Sequence, residues 1–252
     1  MSRPVSILIT GASSGLGAGL ARFYAASGVT LHLSGRDPVR LERTASDCRA
    51  SGAEVIATLV DVGDAAATRA WVEASEAHRP LDLAIANAGI SAGTHGGGES
   101  ADQIRAIFAV NVDGVINTVM PAVAAMTERR RGQVAIMSSL AGFRGFPGAP
   151  AYCASKAAVR VWGEGLRAEL APLGVGVSVI CPGFVTTPMT AVNNFRMPFL
   201  MEVEPACRII ASGLERNRGR IAFPWPMLLA ARLAGCLPDR LMDMVSRRTP
   251  RK

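Results

Sequence analysis

The chain has 252 residues, of which 49% are hydrophobic and 19% charged, and its formal net charge is +7 at pH 7. This length suits one large α/β domain or two small ones, and the apolar content excludes an intrinsically disordered chain. Residues 1–215 carry 18 basic and 18 acidic side chains, so the whole excess lies in residues 216–252, where nine basic residues accompany Asp239 and Asp243. A nucleic-acid partner, which would need a basic surface over the fold itself, is therefore not expected.

The five cysteines are odd in number and show no CxxC or Cys/His spacing typical of a metal site. We expect free thiols, a reducing cytoplasmic compartment and no bound metal. No secretory signal is evident, because the first apolar run, at residues 5–9, leads directly into a glycine-rich turn. No stretch reaches the roughly 18 uninterrupted apolar residues that a membrane span needs.

The first predicted element is a short buried strand at residues 5–9, followed by the turn TGASSGLG at 10–17 and a helix to about residue 28. Glycines allow a tight turn and a close approach of the backbone to a ligand, and a helix N-terminus presents N–H groups to a pyrophosphate. A plain tight turn is the alternative. We favour a dinucleotide cradle formed by Gly11, Ser13, Ser14, Gly15, Leu16 and Gly17.

The second predicted strand, at residues 30–33, ends in Ser34, Gly35 and Arg36. In dinucleotide-binding folds an acidic residue about 20 positions after the glycine turn holds the ribose 2′-hydroxyl of NAD. Arg36 stands near that position, and a guanidinium suits the 2′-phosphate of NADP(H), so we expect NADP(H) in preference to NAD(H). Alternatively, Arg36 is a solvated strand end and Asp37 takes the ribose.

Helices and strands continue to alternate, with predicted elements at 38–51, 54–60, 64–78 and 81–86. This alternation predicts an α/β fold with a doubly wound, Rossmann-like parallel sheet and helices on both faces. The strand ends should lie along the carboxyl edge of the sheet, where such folds bind ligands. The residues at those ends are Gly11, Arg36, Asp61 and Asn87.

The next segments bring further polar residues. A glycine-rich loop at 91–100 contains His95, which we expect to be solvated and leave outside the site. Asn111 lies within a long helical stretch, where its low propensity indicates a kink or a polar task. A fifth strand, at 133–137, delivers Ser138 and Ser139 to the carboxyl edge. A helix at 151–173 and a sixth strand at 175–181 follow.

One tyrosine and one lysine stand four residues apart, as Tyr152 and Lys156. The chain has only two tyrosines and two lysines, and its other 25 basic residues are arginines. Residues four apart share a helix face, and an ammonium beside a phenol favours the phenolate. The pair predicts Tyr152 as a general acid/base, although a buried tyrosine beside a solvated lysine remains the alternative.

These motifs, in their order and spacing, resemble the short-chain dehydrogenases/reductases over about residues 5–190. The turn at 10–17 is similar to the family's cofactor turn, and residues 87–89 are similar to the end of its Asn-Asn-Ala-Gly motif, with Ala86 replacing the first Asn. The resemblance implies a catalytic tetrad of Asn111, Ser139, Tyr152 and Lys156. It also implies cofactor contacts from Asp61, Val62, Asn87, Ala88, Gly89, Tyr152, Lys156, Pro182, Gly183, Val185 and Thr187.

The resemblance further implies a mechanism, a reversible hydride transfer between a nicotinamide and a carbonyl carbon. Ser139, which precedes Tyr152 by the family's usual 13 residues, would hold the substrate oxygen together with the phenol. Lys156 would bind the nicotinamide ribose and lower the pKa of the phenol, while Asn111 would hold a water. A homodimer or homotetramer is expected. Alternatives are an NAD-linked alcohol dehydrogenase and a non-catalytic nucleotide-sensing or scaffold protein on this fold.

The C-terminal part departs from the common pattern. Residues 184–201 are apolar and rich in methionine, and we expect them to close over a lipophilic substrate. A helix at 204–217 and a strand at 220–223 end the predicted oxidoreductase domain, 1–223. The extension at 224–252 is predicted to be helical, apolar and basic, with a second amphipathic stretch at 239–248. Two interpretations of this composition stay open: packing on a neighbouring subunit or in the chain's own substrate cleft, and peripheral contact with an anionic membrane or with a lipid-like substrate presented there.

Overall fold

The computed structural model describes residues 3–91, 98–238 and 240. The strands are β1 (Ser6–Ile9), β2 (Thr30–Gly35), β3 (Glu54–Leu59), β4 (Leu83–Ala86), β5 (Gly132–Met137), β6 (Val175–Pro182) and β7 (Arg220–Phe223). The α-helices are α1 (Gly15–Tyr24), α2 (Pro38–Ala50), α3 (Ala65–His78), α4 (Ala101–Phe108), α5 (Gly114–Glu128), α6 (Pro150–Leu170), α7 (Pro188–Ala191), α8 (Val203–Glu215) and α9 (Trp225–Cys236). Short 3-10 helices at Leu140–Phe143 and Ala171–Leu173, and a π-helical turn at Ala109–Asp113, complete these elements.

The strands form one parallel sheet, in the order β3-β2-β1-β4-β5-β6-β7. The order reverses between β1 and β4, which is the switch point where doubly wound folds open a ligand crevice. The inner strands β1, β2, β4, β5 and β6 are buried along their whole length, because helices cover both faces of a parallel sheet. The predicted doubly wound α/β fold is confirmed.

The core lies in two layers, one on each face of the sheet. Side chains alternate along β1, so that Ile7 and Ile9 join the layer formed with α1 and α8, whereas Leu8 points into the layer formed with α3, α5 and α6. Both layers exclude water from the middle of the sheet. The polar residues at the strand ends are thereby left as the groups that meet solvent.

The helical stretch Ala101–Glu128 is long and apolar enough to cross a membrane by length and composition alone. Its residues Val115, Val119 and Met126 are fully buried in the layer that packs against the sheet. This stretch therefore serves as a core helix, and its apolar composition is explained by that packing.

Most boundaries agree with the predictions to within a few residues, and three features differ. The first helix ends at Tyr24 rather than near residue 28, because the chain turns there to reach β2. The 3-10 helix at Leu140–Phe143 and the short helix α7 were not predicted. His95 lies outside the described residues, and so does the predicted stretch at 239–248 apart from Arg240.

Candidate active site

A cleft of about 840 Å³ opens at the carboxyl edge of the sheet, above the switch point. Every residue predicted to contact the cofactor lines this cleft except Gly17, and every predicted catalytic residue lines it except Asn111. The parallel sheet is the reason, because its strand ends all arrive at one edge. The sequence predictions therefore converge on one site.

The glycine turn fits a dinucleotide. Gly11 and Gly15 have φ values of 66° and 54°, in the left-handed region that favours glycine. Among the described residues no side chain caps α1, which leaves its first N–H groups available to an anion. Gly17 has a different task, because a Cβ there would lie 2.3 Å from the Gly11 carbonyl oxygen. The missing side chain of Gly17 lets the start of α1 pack directly against Gly11.

Thr10 ties the glycine turn to the end of β4. Its hydroxyl accepts hydrogen bonds from the backbone N–H groups of Asn87 (3.0 Å) and Ala88 (3.1 Å). The Asn87 side chain returns a hydrogen bond from Nδ2 to the Thr10 carbonyl oxygen at 2.9 Å. These contacts hold the two strand ends together although Ala86 replaces an asparagine, so the departure from the family motif leaves this connection intact.

Two arginines lie where the second strand meets α2. The Arg36 guanidinium is 3.7 Å from a carboxylate oxygen of Asp61, and both side chains are exposed. Asp37 caps α2 by accepting from the Arg40 N–H at 2.9 Å, and its other oxygen accepts from Arg40 Nε at 2.7 Å. The backbone hydrogen bond from Arg40 lowers the pKa of Asp37 most. Sequence reasoning missed Arg40, which lines the cleft with Arg36.

The structure brings Ser139, not Ser138, to Tyr152. The Ser139 hydroxyl hydrogen-bonds the Tyr152 side chain and also accepts from the Ala141 N–H at 3.1 Å, which caps the 3-10 helix. Ser138 is buried and donates to the Lys156 carbonyl oxygen at 2.7 Å. The spacing argument that preferred Ser139 thus agrees with the geometry.

Lys156 is a buried cation. Its ammonium donates to the Met137 carbonyl oxygen at 2.9 Å and lies 5.9 Å from the centre of the Tyr152 ring. Burial lowers its pKa to about 8, so the side chain remains largely protonated at pH 7. Gly89 leaves room for this ammonium, because a Cβ at residue 89 would lie 3.2 Å from Nζ.

The phenol of Tyr152 differs from the expectation. Burial raises its pKa above the ordinary value, and the hydrogen bond from Ser139, which acts in the opposite direction, is the smaller effect. The predicted net lowering of this pKa by Lys156 is therefore not found, because desolvation of the phenolate dominates. The phenol is protonated at neutral pH, the form that donates a proton.

Asn111 lies in the π-helical turn, fully buried, as its unusual place in a helix indicated. Its Oδ1 accepts from the Ile90 N–H at 2.8 Å, and its Nδ2 donates to the Ile90 carbonyl oxygen at 2.9 Å and to Ser155 Oγ at 3.0 Å. The amide thus fixes the backbone beside Gly89. Its role in holding a water stays a prediction.

A cluster of charged residues supports the 3-10 helix that follows Ser139. The Arg160 guanidinium lies 4.7 Å from the centre of the Phe143 ring, and its Nε donates to the Gly142 carbonyl oxygen at 3.3 Å. Glu164 accepts from both Arg160 and Arg220. Sequence reasoning did not single out these residues, because no local pattern indicates that they meet.

The comparisons agree with this geometry. The family model of the short chain dehydrogenases matches residues 6–197. The chain belongs to this family. An uncharacterised oxidoreductase of Myxococcus xanthus is 41% identical over 242 residues, which cover 96% of each chain.

Two solved structures of the family are also similar. The short-chain dehydrogenase of Sphingobium yanoikuyae in complex with NADPH is 27% identical, with a TM-score of 0.79 over 97% of this chain and 96% of that one. The short-chain dehydrogenase/reductase of Burkholderia phymatum in complex with NAD is also 27% identical, with a TM-score of 0.82 over 98% of this chain and 96% of that one. This short-chain dehydrogenase is therefore an oxidoreductase that uses a nicotinamide dinucleotide.

Proposed function

We propose that this short-chain dehydrogenase interconverts a lipophilic ketone or aldehyde and its alcohol with NADP(H), using Tyr152 as general acid/base. The observation that carries the proposal is the hydrogen bond between Ser139 and Tyr152, beside the buried ammonium of Lys156 and inside the cleft. A protein that only senses a nucleotide would have no use for this arrangement. The non-catalytic alternative is therefore not favoured.

The side chains suggest a division of labour in the reducing direction. The hydroxyls of Ser139 and Tyr152 donate hydrogen bonds to the substrate carbonyl oxygen and stabilise the negative charge that grows there. The bound nicotinamide would supply the hydride. Tyr152 gives its proton to the developing alkoxide, and the charge of Lys156 stabilises the phenolate that remains. In oxidation the phenolate takes the alcohol proton.

Asn111 acts in this scheme by positioning. Its three hydrogen bonds fix Ile90, which follows Gly89, and Ser155, which precedes Lys156 in the chain. The close approach of Gly89 to both Asn111 Oδ1 and Lys156 Nζ, each 3.2 Å from a Cβ built on the glycine, links the two side chains. We assign to the same region the water through which protons reach solvent.

The preference for NADP(H) rests on the charges beside β2. Arg36 and Arg40 present two guanidinium groups to the cleft, and both oxygens of Asp37 are already held by Arg40. A carboxylate engaged in this way is a poor partner for a ribose diol, whereas two guanidiniums suit a 2′-phosphate. To bind the ribose of NAD, the Asp37 carboxylate would have to break its hydrogen bonds with Arg40.

The lipophilic class of substrate rests on the segment after β6. Phe184 and Phe195 pack edge to face with their ring centres 6.0 Å apart, and Val185 pairs with Met201 to close the segment on itself. Met189 lines the cleft. Aromatic and thioether side chains form adaptable apolar walls.

Removal of the phenol oxygen tests the catalytic assignment. We expect Tyr152→Phe to lower the turnover number by about 100-fold to 10,000-fold, the range of general acid/base catalysis, with cofactor binding unchanged. Tyr24→Phe is the matched control, because Tyr24 is buried in the core and its hydroxyl has no hydrogen-bond partner in the described part of the chain. Turnover by Tyr152→Phe at the level of Tyr24→Phe would refute the proposal.

A binding titration with NADPH and NADH tests the cofactor assignment. We expect tighter binding of NADPH, and about a tenfold to hundredfold loss of NADPH affinity in Arg36→Ala, since a hydrogen bond to a charged group contributes about 1.5 to 3 kcal/mol. NADH affinity should not change. Arg43→Ala, an exposed arginine on α2 that does not line the cleft, is the control. Preference for NADH would instead establish the NAD-linked alternative.

A further inference from the structure

Helix α9 carries an apolar stripe that no described part of the chain covers. Trp225, Leu229 and Leu233 are 74%, 51% and 58% exposed, and their spacing of four residues places them on one side of the helix. Leu237 continues the same spacing just past the end of the helix. We refer to these four residues as the α9 stripe.

The opposite side of α9 is anchored, so the stripe is held at a fixed place on the fold. Met227 and Leu228 pack on the small core cluster of Leu140, Val179 and Cys181. The packing is close, because a Cβ at Gly183 would lie 3.0 Å from the Met227 sulfur. The stripe is therefore presented outward by a helix whose other side is packed on the core.

The charge of the same region decides what the stripe can meet. Residues 224–252 contain six basic side chains and two acidic ones, whereas residues 1–215 balance at 18 of each sign. Helix α9 itself contains Arg232 and no acidic residue. In a two-fold contact through the stripe, α9 with its Arg232 would face a second copy of itself, and the helix carries no acidic residue to pair with that charge. An anionic lipid surface satisfies both the apolar stripe and the basic excess.

We propose that the α9 stripe docks this enzyme peripherally on an anionic phospholipid surface. The leucines would enter the boundary between headgroups and acyl chains, and Trp225 would lie at headgroup level, where tryptophan is favoured. The basic excess would add attraction that salt weakens. This inference concerns binding only and does not depend on the proposed substrate or on Tyr152.

The test compares vesicles of pure phosphatidylcholine with vesicles of equal parts phosphatidylcholine and phosphatidylglycerol, by co-sedimentation of the full chain. We expect the full chain to bind the anionic vesicles, and added salt to weaken this binding. Vesicle affinity should fall by about tenfold or more in Leu229→Glu, because one of the leucines that would enter the lipid is removed. The matched control is Leu59→Glu. Leu59 is 59% exposed at the end of β3, and β3 and β7 lie at opposite edges of the sheet.

A second readout uses Trp225. The other tryptophans, Trp71 and Trp162, already lie in or against the core, so a blue shift of emission on adding anionic vesicles would report Trp225. The shift should be absent in Leu229→Glu, whose NADPH binding verifies that the protein is folded. Equal vesicle binding by both glutamate variants, or no binding by the parent chain, would overturn the proposal. Sedimentation velocity gives a further outcome that would overturn it. If Leu229→Glu forms a smaller oligomer than the parent while its vesicle binding is unchanged, the stripe binds a second copy of the chain.

Discussion

Charged side chains have different partners at the two edges of the sheet. At the amino edge, Glu76 pairs with Arg129 and also accepts from the Leu81 N–H at 2.9 Å, while Asp82 accepts from the Val5 N–H at 2.9 Å and from Arg131 at 2.7 Å. At the carboxyl edge, Lys156 is more deeply buried, yet within the described residues it makes no salt bridge and donates only to a carbonyl oxygen.

The difference separates groups that hold the fold from the group that we propose serves the reaction. A buried charge paired with its opposite is stabilised where it stands, and loss of one partner is costly. An ammonium held by a carbonyl alone keeps much of its desolvation cost, which is the reason its pKa falls to about 8. Its charge is then available to a phenolate and to a ligand in the cleft.

The largest expected effect comes from deletion of that charge. We expect Lys156→Met to lower turnover by about a thousandfold, within the range of acid/base catalysis, because the phenolate of Tyr152 loses its stabilising cation. The free energy of unfolding at pH 7 should stay the same or rise, since a desolvated charge is replaced by an apolar chain of similar length. Steady-state kinetics and urea unfolding measure the two quantities. A variant that is clearly less stable than the parent would show that Lys156 holds the fold.

The pH dependence of stability gives a second test of the desolvated charge on Lys156. The pKa of Lys156 is about 8 in the folded chain against the ordinary lysine value of 10.5, so between these values the unfolded chain binds more protons. Stability therefore increases with pH in this window, by up to about 3 kcal/mol. Urea unfolding of the parent and of Lys156→Met at pH 7.5 and 10 isolates the contribution. A parallel response of the two proteins would contradict it.

At the amino edge we expect the opposite result, in which a substitution lowers the free energy of unfolding and leaves turnover unchanged. Glu76→Gln leaves Arg129 without its carboxylate in a largely buried place, and we expect a loss of about 2 kcal/mol in the free energy of unfolding. Turnover should remain within about twofold, because the pair is remote from the cleft. Glu73→Gln, an exposed change on the same helix, should stay within about 0.5 kcal/mol of the parent. Loss of activity without loss of stability would break the comparison.

Local patterns were sufficient to predict the sheet and most of the cleft. Alternating buried strands and helices determine a parallel sheet, and a parallel sheet brings all strand ends to one edge, so Gly11, Asp61 and Asn87 could be assigned together. These assignments need only the order of elements along the chain. The choice of Ser139 over Ser138 needed more, because it came from the 13-residue spacing before Tyr152 in the family that the chain resembles.

The remaining features depend on tertiary contacts that no local pattern reveals. Arg40 reaches the cleft because of how α2 begins, with Asp37 as its cap. The side chain of Asn111 is hydrogen-bonded to the backbone of Ile90, 21 residues away along the chain. The raised pKa of Tyr152 comes from burial, which depends on the whole surrounding fold and opposes the effect expected from Lys156. Contacts and desolvation of this kind become visible only once the elements are packed.

The smallest effect concerns a buried group that carries no charge. Burial lowers the pKa of His32 from 6.5 to about 4. His78, whose ring centre is 5.6 Å away, lowers this pKa further, and Glu54 raises it by a smaller amount. The folded chain resists protonation, so stability is complete above pH 6.5 and falls as the pH drops toward 4. The full shift corresponds to about 3 kcal/mol, and we expect about half of it, because His78 and Glu54 are exposed and water screens the site.

Replacement of the ring by a hydrocarbon tests this expectation. His32→Leu should lose less stability than the parent between pH 6.5 and 4, while both proteins keep the same activity at pH 7, because His32 lies in the middle of β2 and away from the cleft. Urea midpoints across this pH range give the difference. If the two curves run parallel, His32 is protonated in the folded chain as readily as in the unfolded one. The exclusion of water from the middle of the sheet would then not extend to this side chain.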